Sequence, residues 1–548
     1  MNRNLKRTSK IRFLIAVCTI VFSAVYFTGC SQETSTPTES PIQILATVER
    51  PTTTVTVAIS MAPSTRAASA TVQAATTVPL PSHTPILTPA RVSTVDGVSV
   101  PTQTLTVTPP ALVSKSRGYL TTPGELSIIK AKADQGIEPY KSSVERVLVR
   151  ANKSWNYSLQ PVPSCPSADE PAWNDNDEGT PIIYAKALAF HLTNNAQYAD
   201  EVRQILQRIM TEVGSITTGD QQCRLNFSWG TPELVASADL IEDYWSGQTC
   251  TGPISTLYTE TTIGLGKCKS LFQNWLVKNP YYIVSYSAAN ATSNWGASAT
   301  NTTAYIADYL WDRPEVRLIH RNPPQINGGK DLTLTPAEAY RYANKLAIDR
   351  MNGYRVDYHS STSCDVLGGS QQSKDWAPIK SQINENGIIP EDARREEFCN
   401  IPRYNGQYEN YPQLHIGNNV QQCELMLRRG DRSCFDNLDN TDVPNFAYVD
   451  RYGASRVTHL YPGRGSIERA IKAIIVDSQT QWKHDSGLAV AYRYYFNSHT
   501  LPGFESWIGQ LNSAASCEQD ICFGMLTHGF ASGEQPGLPP MVAAPGER

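Results

Sequence analysis

The chain has 548 residues, with 47 Lys+Arg against 51 Asp+Glu and a formal net charge of -4. That balance excludes the broad basic footprint that general nucleic-acid binding needs, so no nucleic-acid partner is expected. Only 18% of residues are charged, while Thr, Ser, Asn and Pro are plentiful, a profile closer to exported than to cytosolic chains.

The N terminus fits that profile. Lys6, Arg7, Lys10 and Arg12 form a basic region ahead of an apolar run from Phe13 to Phe27. The run has signal-peptide length and is short for a stable membrane span. It ends in Phe27-Thr28-Gly29-Cys30, which resembles a bacterial lipobox with Phe where Leu is usual. Residues 1–30 are therefore expected to be a lipoprotein-type signal with Cys30 as the lipidated residue. The protein is then extracytoplasmic, periplasmic or at the cell surface, and held to a membrane by that lipid. Residues 31–117 are rich in Thr, Pro, Ser and Val and poor in aromatic and charged residues. Such composition cannot bury enough surface to offset ordering entropy, so a disordered, polyproline-like tether is predicted ahead of a domain over 118–548.

Ten cysteines lie in that domain: Cys165, Cys223, Cys250, Cys268, Cys364, Cys399, Cys423, Cys434, Cys517 and Cys522. An even count in an exported chain predicts disulfides, and the absence of any CxxC pair weakens zinc and thioredoxin-like readings. Cys423 with Cys434, and Cys517 with Cys522, are near enough in sequence to bridge locally.

Helix signals dominate from residue 118. Thr122-Pro123-Gly124-Glu125 and Thr335-Pro336-Ala337-Glu338 are capping boxes with Pro at the first helical position. Tyr198, Val202, Ile205, Leu206, Ile209 and Val213 form a 3.6-residue stripe over 196–214, and Ile467, Ala470, Ile471, Ile474 and Ile475 form another. Further helices are predicted at 138–155, 180–194, 231–245, 260–278, 295–312, 336–352, 411–429 and 486–497. Strand alternation is scarce, and no repeat of fixed period occurs. The expectation is all-α: an incomplete (α/α) toroid, or a less regular helical array.

Familiar catalytic motifs are missing: no GxSxG, HExxH, Walker loop or GxGxxG. Asn174-Asp175-Asn176-Asp177-Glu178-Gly179 opens like a calcium loop, but Ala185 stands where the bidentate Glu belongs, so a helix-capping turn is the better reading. Arg429-Gly430-Asp431 reads as a helix end. Two segments are more informative: Ser293-Asn294-Trp295-Gly296, at a predicted helix start, and Gly387-Ile388-Ile389-Pro390-Glu391-Asp392-Ala393-Arg394-Arg395 followed by Tyr408-Glu409-Asn410-Tyr411-Pro412-Gln413-Leu414.

Together these segments resemble the alginate lyase superfamily, polysaccharide lyases built on an α/α toroid. In that family an Asn-containing motif opens an inner helix. A Gly-x-Leu-Pro-x-Glu-x-x-Arg-like stretch follows it, and then a Tyr-His-Asn-Phe/Tyr-like stretch that supplies the catalytic tyrosine. The opening Tyr119 to Leu126 and the late Trp482 to Tyr495 are similar to the family's first and closing helices, so the resemblance spans most of 118–500. It implies β-elimination on a uronate-containing anionic polysaccharide such as alginate. The C5 proton becomes acidic when the carboxylate is neutralised and the developing enolate meets positioned donors. By resemblance the catalytic residues are Asn294, Arg395 and Tyr408, with Arg394 the alternative to Arg395 in the clamp. Trp295, Arg394, Tyr411, His415 and His459 are the substrate-contact candidates. The implied mechanism needs no cofactor, and no metal cluster is visible in the sequence.

The chain departs from the family where Trp295 stands in place of a His. Either Tyr408 serves as both base and acid, or another His enters the cleft, with His415, His359 and His459 as candidates. The interval from Arg395 to Tyr408 is also long and contains Cys399. Plainer readings stand beside each assignment. Asn294 is a helix cap, Arg394 and Arg395 belong to a solvated face, and His415 is a satisfied helix residue. Tyr404, Tyr408 and Tyr411 pack or stack, and the stretch Arg451, Arg456, His459 and Arg464 is loop charge. Two rival functions remain. One is a non-catalytic glycan-binding surface lipoprotein, which Trp295 favours. The other is a glycoside hydrolase, which needs a carboxylate pair such as Asp375 and Glu391 across a cleft.

Overall fold

Thr122 opens the first helix as its capping box predicts, accepting from the Glu125 N–H at 3.2 Å. The computed structural model describes residues 118–157, 179–213, 221–260, 262–291, 293–322, 329–351, 392, 411–437, 445–449, 455–459, 467–472, 485–495, 523–531 and 534. These all fall within one unit, Gln103–Arg548. The signal, Cys30 and the tether lie outside the described residues, as does the calcium-like stretch up to Glu178. Gly179, at φ +71°, is the N-cap of the helix that follows.

The helices in order are α1 (Pro123–Asp134), α2 (Tyr140–Ala151), α3 (Thr180–Thr193), α4 (Ala196–Glu212), α5 (Gln221–Leu240) and α6 (Glu242–Trp245). An antiparallel hairpin of β1 (Thr249–Pro253) and β2 (Ile263–Lys267) precedes α7 (Cys268–Leu276), a π-turn at Val277–Tyr281 and α8 (Tyr282–Asn290). Then come α9 (Asn294–Tyr309), the hairpin β3 (Leu318–His320) and β4 (Leu332–Leu334), α10 (Pro336–Met351) and α11 (Tyr411–Arg428). A third hairpin, β5 (Asn445–Val449) with β6 (Ser455–His459), is followed by α12 (Ile467–Lys472), α13 (Asp485–Tyr495) and α14 (Gly524–His528). The described chain is mostly helical, its strands confined to these two-stranded hairpins, and no barrel closes among them. No helix among the described residues is long and apolar enough to cross a membrane.

Two predicted helices differ from the structure. The helix expected over 260–278 starts only at Cys268, because Ile263, Leu265 and Lys267 alternate with Gly264 and Gly266. That is strand periodicity, and the disulfide Cys250–Cys268 pins the hairpin's end. Beyond it the helix widens into a π-turn around Pro280, which lacks the N–H a regular turn needs. The helix expected to start at 231 begins ten residues earlier and carries Pro232 inside it, held across the missing donor by packing on α3 and α9. The Thr335 box forms in both directions: the Thr335 N–H donates to Glu338 at 2.8 Å and the Glu338 N–H to Thr335 Oγ1 at 3.3 Å. In the Thr122 box, Glu125 instead reaches a buried arginine, Arg428.

Among the described residues, α9 and α11 are the most enclosed helices. Every residue of α9 except Trp295 is buried, and every residue of α11 except Tyr411. Helices this enclosed normally read as apolar all round. These instead carry amides and hydroxyls that bond one another: Asn301 with Gln421, Gln422 with Asn344 at 3.0 Å, and Thr302 with the Ser228 carbonyl at 2.6 Å. Direction follows from the pairs. Asn301 meets Gln421 and, two turns on, Asp308 meets Arg429, so α9 and α11 run parallel. Thr180 meets Glu233 and His191 meets Leu240, so α3 and α5 run parallel too. Helix α10 returns antiparallel, placing Arg350 beside Thr300.

The N-terminal anchor is ionic. Arg429 grips Asp308 through two bonds of 2.9 and 2.8 Å and donates to the Gly118 carbonyl at 3.0 Å, while the Gly118 N–H reaches Asp239 at 3.0 Å. Arg428 bonds Glu424, Glu125 and the Leu120 carbonyl. Tyr119 stacks on Tyr305 at 4.7 Å. Arg429 therefore ends its helix as a buried strut, and Gly430, at φ +93°, makes the turn out. A second disulfide, Cys423–Cys434, ties α11 to that turn, as the spacing predicts. The Cys517–Cys522 pairing lies outside the described residues.

Candidate functional site

Because α9 and α11 run parallel, their N termini come to one end of the interior. Each helix leaves only its first-turn aromatic unburied there: Trp295 and Tyr411. Between those ends sits Asp392, fully buried. Its Oδ1 accepts from the Asn294 backbone N–H at 3.0 Å, and its Oδ2 lies 2.7 Å from His415 Nδ1. One carboxyl group thus holds the start of α9 and the second turn of α11 together.

This arrangement fixes the imidazole. As a carboxylate, Asp392 accepts on both oxygens, and the His415 proton then lies on Nδ1 with the lone pair on Nε2. Burial pushes the His415 pKa below its ordinary value; Asp392 pulls it up and the Arg350 guanidinium pushes it further down. The ring is therefore neutral at neutral pH, with a basic nitrogen. Among the described residues His415 Nε2 finds no hydrogen-bond partner, and neither do Oδ1 and Nδ2 of Asn294. Buried polar atoms are nearly always paired, so three unmet ones bridged by one carboxyl need a reason.

Asn294 is not the helix cap: Ser293 occupies that position, and its carbonyl accepts from the Gly296 and Ala297 N–H groups at 2.8 and 3.1 Å. Gly296 is obligatory in this turn. A Cβ there would sit 2.0 Å from the Ala291 carbonyl oxygen and 3.0 Å from Arg350 Nη2. Arg350, fully buried at the end of α10, clamps the same turn by donating to Ala288 O, Ala291 O and Thr300 Oγ1 at 3.3, 3.3 and 3.1 Å.

Of the sequence-predicted residues, the structure brings Asn294 and His415 together and sets Trp295 and Tyr411 at the same two helix starts. His459 falls on β6, opposite Asn445. Arg394, Arg395, Tyr408, His359, Asp375, Glu391 and Cys30 lie outside the described residues. Asp392 and Arg350 were missed. Arg350 had a signal, since it occupies the same stripe as Ala339, Ala343 and Ala347, an unusual place for a cation. Asp392 stood inside a quoted motif, where its neighbours drew attention to the arginines instead.

No group of three metal-ligating side chains occurs among the described residues. A separate open depression of about 340 Å³, lined by Lys153, Trp155 and Arg208 among others, contains none of the predicted site residues. No protein-family model matches the chain, and no curated protein matches it.

Proposed function

We propose that the chain is a polysaccharide lyase that cleaves uronate-containing, alginate-like polymers by β-elimination on an incomplete α/α toroid, held outside the cytoplasm by a lipid on Cys30. One observation carries this reading: the convergence of unmet Asn294, Asp392 and neutral His415 at two parallel helix N termini. Parallel inner helices with antiparallel returns, and α14 packing back onto α1 and α2, support the toroid. Two disulfides support an oxidising compartment.

The chemistry follows from the groups. His415 Nε2 takes the C5 proton, with Asp392 holding the tautomer. Asn294 donates to the uronate carboxylate, with Arg395 or Arg394 completing the neutralisation, and the two helix N termini favour the same negative charge. Electrons from the C5–H bond form the C4–C5 double bond as the C4–O bond breaks. Tyr408 returns a proton to the leaving oxygen. His415 thus fills the role left vacant where Trp295 replaces a His.

A second reading has a specific support. Asn294 and His415 are buried, at 1% and 0% exposure, as a structural tie would be. On that reading Asp392–His415 pins two helices and the protein only binds glycans. Catalysis requires substrate to displace what covers the pair. Product analysis on a panel of uronate polymers separates the cases. An ultraviolet-absorbing unsaturated product is expected; new reducing ends without it mean hydrolysis, and binding without cleavage means the tie.

A further inference from the structure

On α8, a cation stands without a carboxylate among the described residues. Arg321, half-buried just after β3, makes no ion pair with any of them, and its Nη1 is shielded from water with no hydrogen-bond acceptor among them. Its guanidinium instead lies over two tyrosines one helical turn apart, 5.0 Å from the Tyr282 ring and 5.2 Å from Tyr286. Its backbone is fixed on the same helix, the Arg321 N–H donating to Ser285 Oγ at 3.2 Å. Two further groups extend the row. Tyr258 stacks on Tyr282 at 4.0 Å, and Arg224 from α5 lies 4.6 Å from the Tyr286 ring.

Packing alone does not account for this. A partly desolvated guanidinium carries a cost unless a charge partner or hydrogen bonds compensate it, and cation–π contacts return part of that cost. Here residues from four separate stretches of chain converge as an alternating row of aromatic faces and guanidinium groups. Aromatic faces pack against sugar rings, and a guanidinium fork matches a carboxylate through two parallel bonds.

The row also has a direction. Tyr282, Tyr286 and Asn290 fall at i, i+4 and i+8, so they share one stripe of α8, and all three are half-buried. At 1.5 Å per residue that stripe runs about 12 Å, ending at the turn that carries Asn294 and Trp295. From these observations we infer that Tyr258, Tyr282, Tyr286 and Arg321 form a binding track for acidic sugars, with Arg321 seating a carboxylate one or more rings away from Asn294. The inference rests on the proposed lyase reading for its substrate class. It adds that the substrate is engaged as a polymer along α8, not as a single sugar at the helix ends.

Binding measured without turnover tests it. The full chain is run by affinity electrophoresis through gels containing alginate, or a neutral glucan at the same concentration. Retardation by alginate alone is expected, weakening as salt rises. Arg321→Met should raise the apparent Kd at least about tenfold, the scale for removing one partner of a charge-assisted pair. Arg321→Lys, which keeps the charge but not the planar fork, should fall between, and Tyr286→Ala should weaken binding without changing its preference for the acidic polymer. Unchanged melting temperatures certify the fold, and the Lys variant keeps the test decisive if the Met variant misfolds. Equal retardation of wild type and Arg321→Lys, or equal retardation by the neutral glucan, overturns the track while leaving the lyase reading standing. Binding that depends on Arg321 with no unsaturated product overturns the lyase reading and leaves the track. Absence of any retardation by alginate overturns the track outright.

Discussion

His415 is defined by what surrounds it: burial lowers its pKa, the Asp392 carboxylate holds its proton on Nδ1, and Nε2 meets no partner among the described residues. Two pH effects follow. The rate should fall on acidification as the imidazole is protonated, with its acid limb below the ordinary histidine value of about 6.5. A limb at or above that value contradicts His415 as the base. Stability should follow the same sign. His528, also buried, has its pKa lowered by burial against the pull of Glu424. Both imidazoles therefore bind protons more weakly folded than unfolded, so below about pH 6.5 the unfolded chain takes up more protons. Their contribution is complete above that pH and is lost as pH falls through the folded values. Melting temperature against pH should be flat above about 6.5 and decline below it, and His415→Gln should flatten part of the decline. A curve whose decline is unchanged in that variant means that His415 does not titrate as described.

At the scale of elements, the turn from α8 to α9 decides whether the site exists. Gly296→Ala places a methyl group against the Ala291 carbonyl and Arg350, so the turn must open. We expect about 1–3 kcal/mol of destabilisation, the usual cost of overpacking, with a loss of activity beyond what the folded fraction explains. Thermal unfolding and turnover measured on the same preparation check both. The disulfides act on the flanks. Reduction of Cys250–Cys268 and Cys423–Cys434 should lower the melting temperature, since each removes a loop constraint on the unfolded chain; an unchanged midpoint argues against both bonds. Much at this scale was legible in the sequence, because α4 carries its periodicity and α10 its capping box locally. The strand Ile263–Lys267 fell inside the helix expected over 260–278, because its alternation with Gly264 and Gly266 is short and local. The early start of α5 was lost because Pro232 is an end signal that tertiary packing overrode. Asn294 and His415 were individually legible. Their meeting through Asp392 was not, since 98 and 23 residues of chain separate the partners.

Across the whole molecule, the chain entering the domain is part of its interior. Gly118, Tyr119 and Leu120 are buried and bonded to Asp239, Arg429 and Arg428. A chain beginning at Gly118 should keep the full-length melting temperature. One beginning at Thr121 should lose about 3–6 kcal/mol from the Tyr and Leu side chains alone. Equal stability of the two truncations contradicts the anchor. The same interior holds α9 and α11 parallel, so the ionic struts at their C-terminal ends and the Asp392 bridge at their N-terminal ends belong to one packed unit. On the proposed function, this unit performs proton abstraction at its N-terminal end. The most direct measurement is the rate at which the purified full chain generates ultraviolet absorbance from a uronate polymer, compared with His415→Gln and Asn294→Ala well below their melting temperatures. A chromophore is expected from the wild type, with a loss of roughly 10²–10⁴-fold in His415→Gln and Asn294→Ala also slowed. A wild type that yields no chromophore from any uronate polymer, or variants as fast as the wild type, would contradict the proposed function.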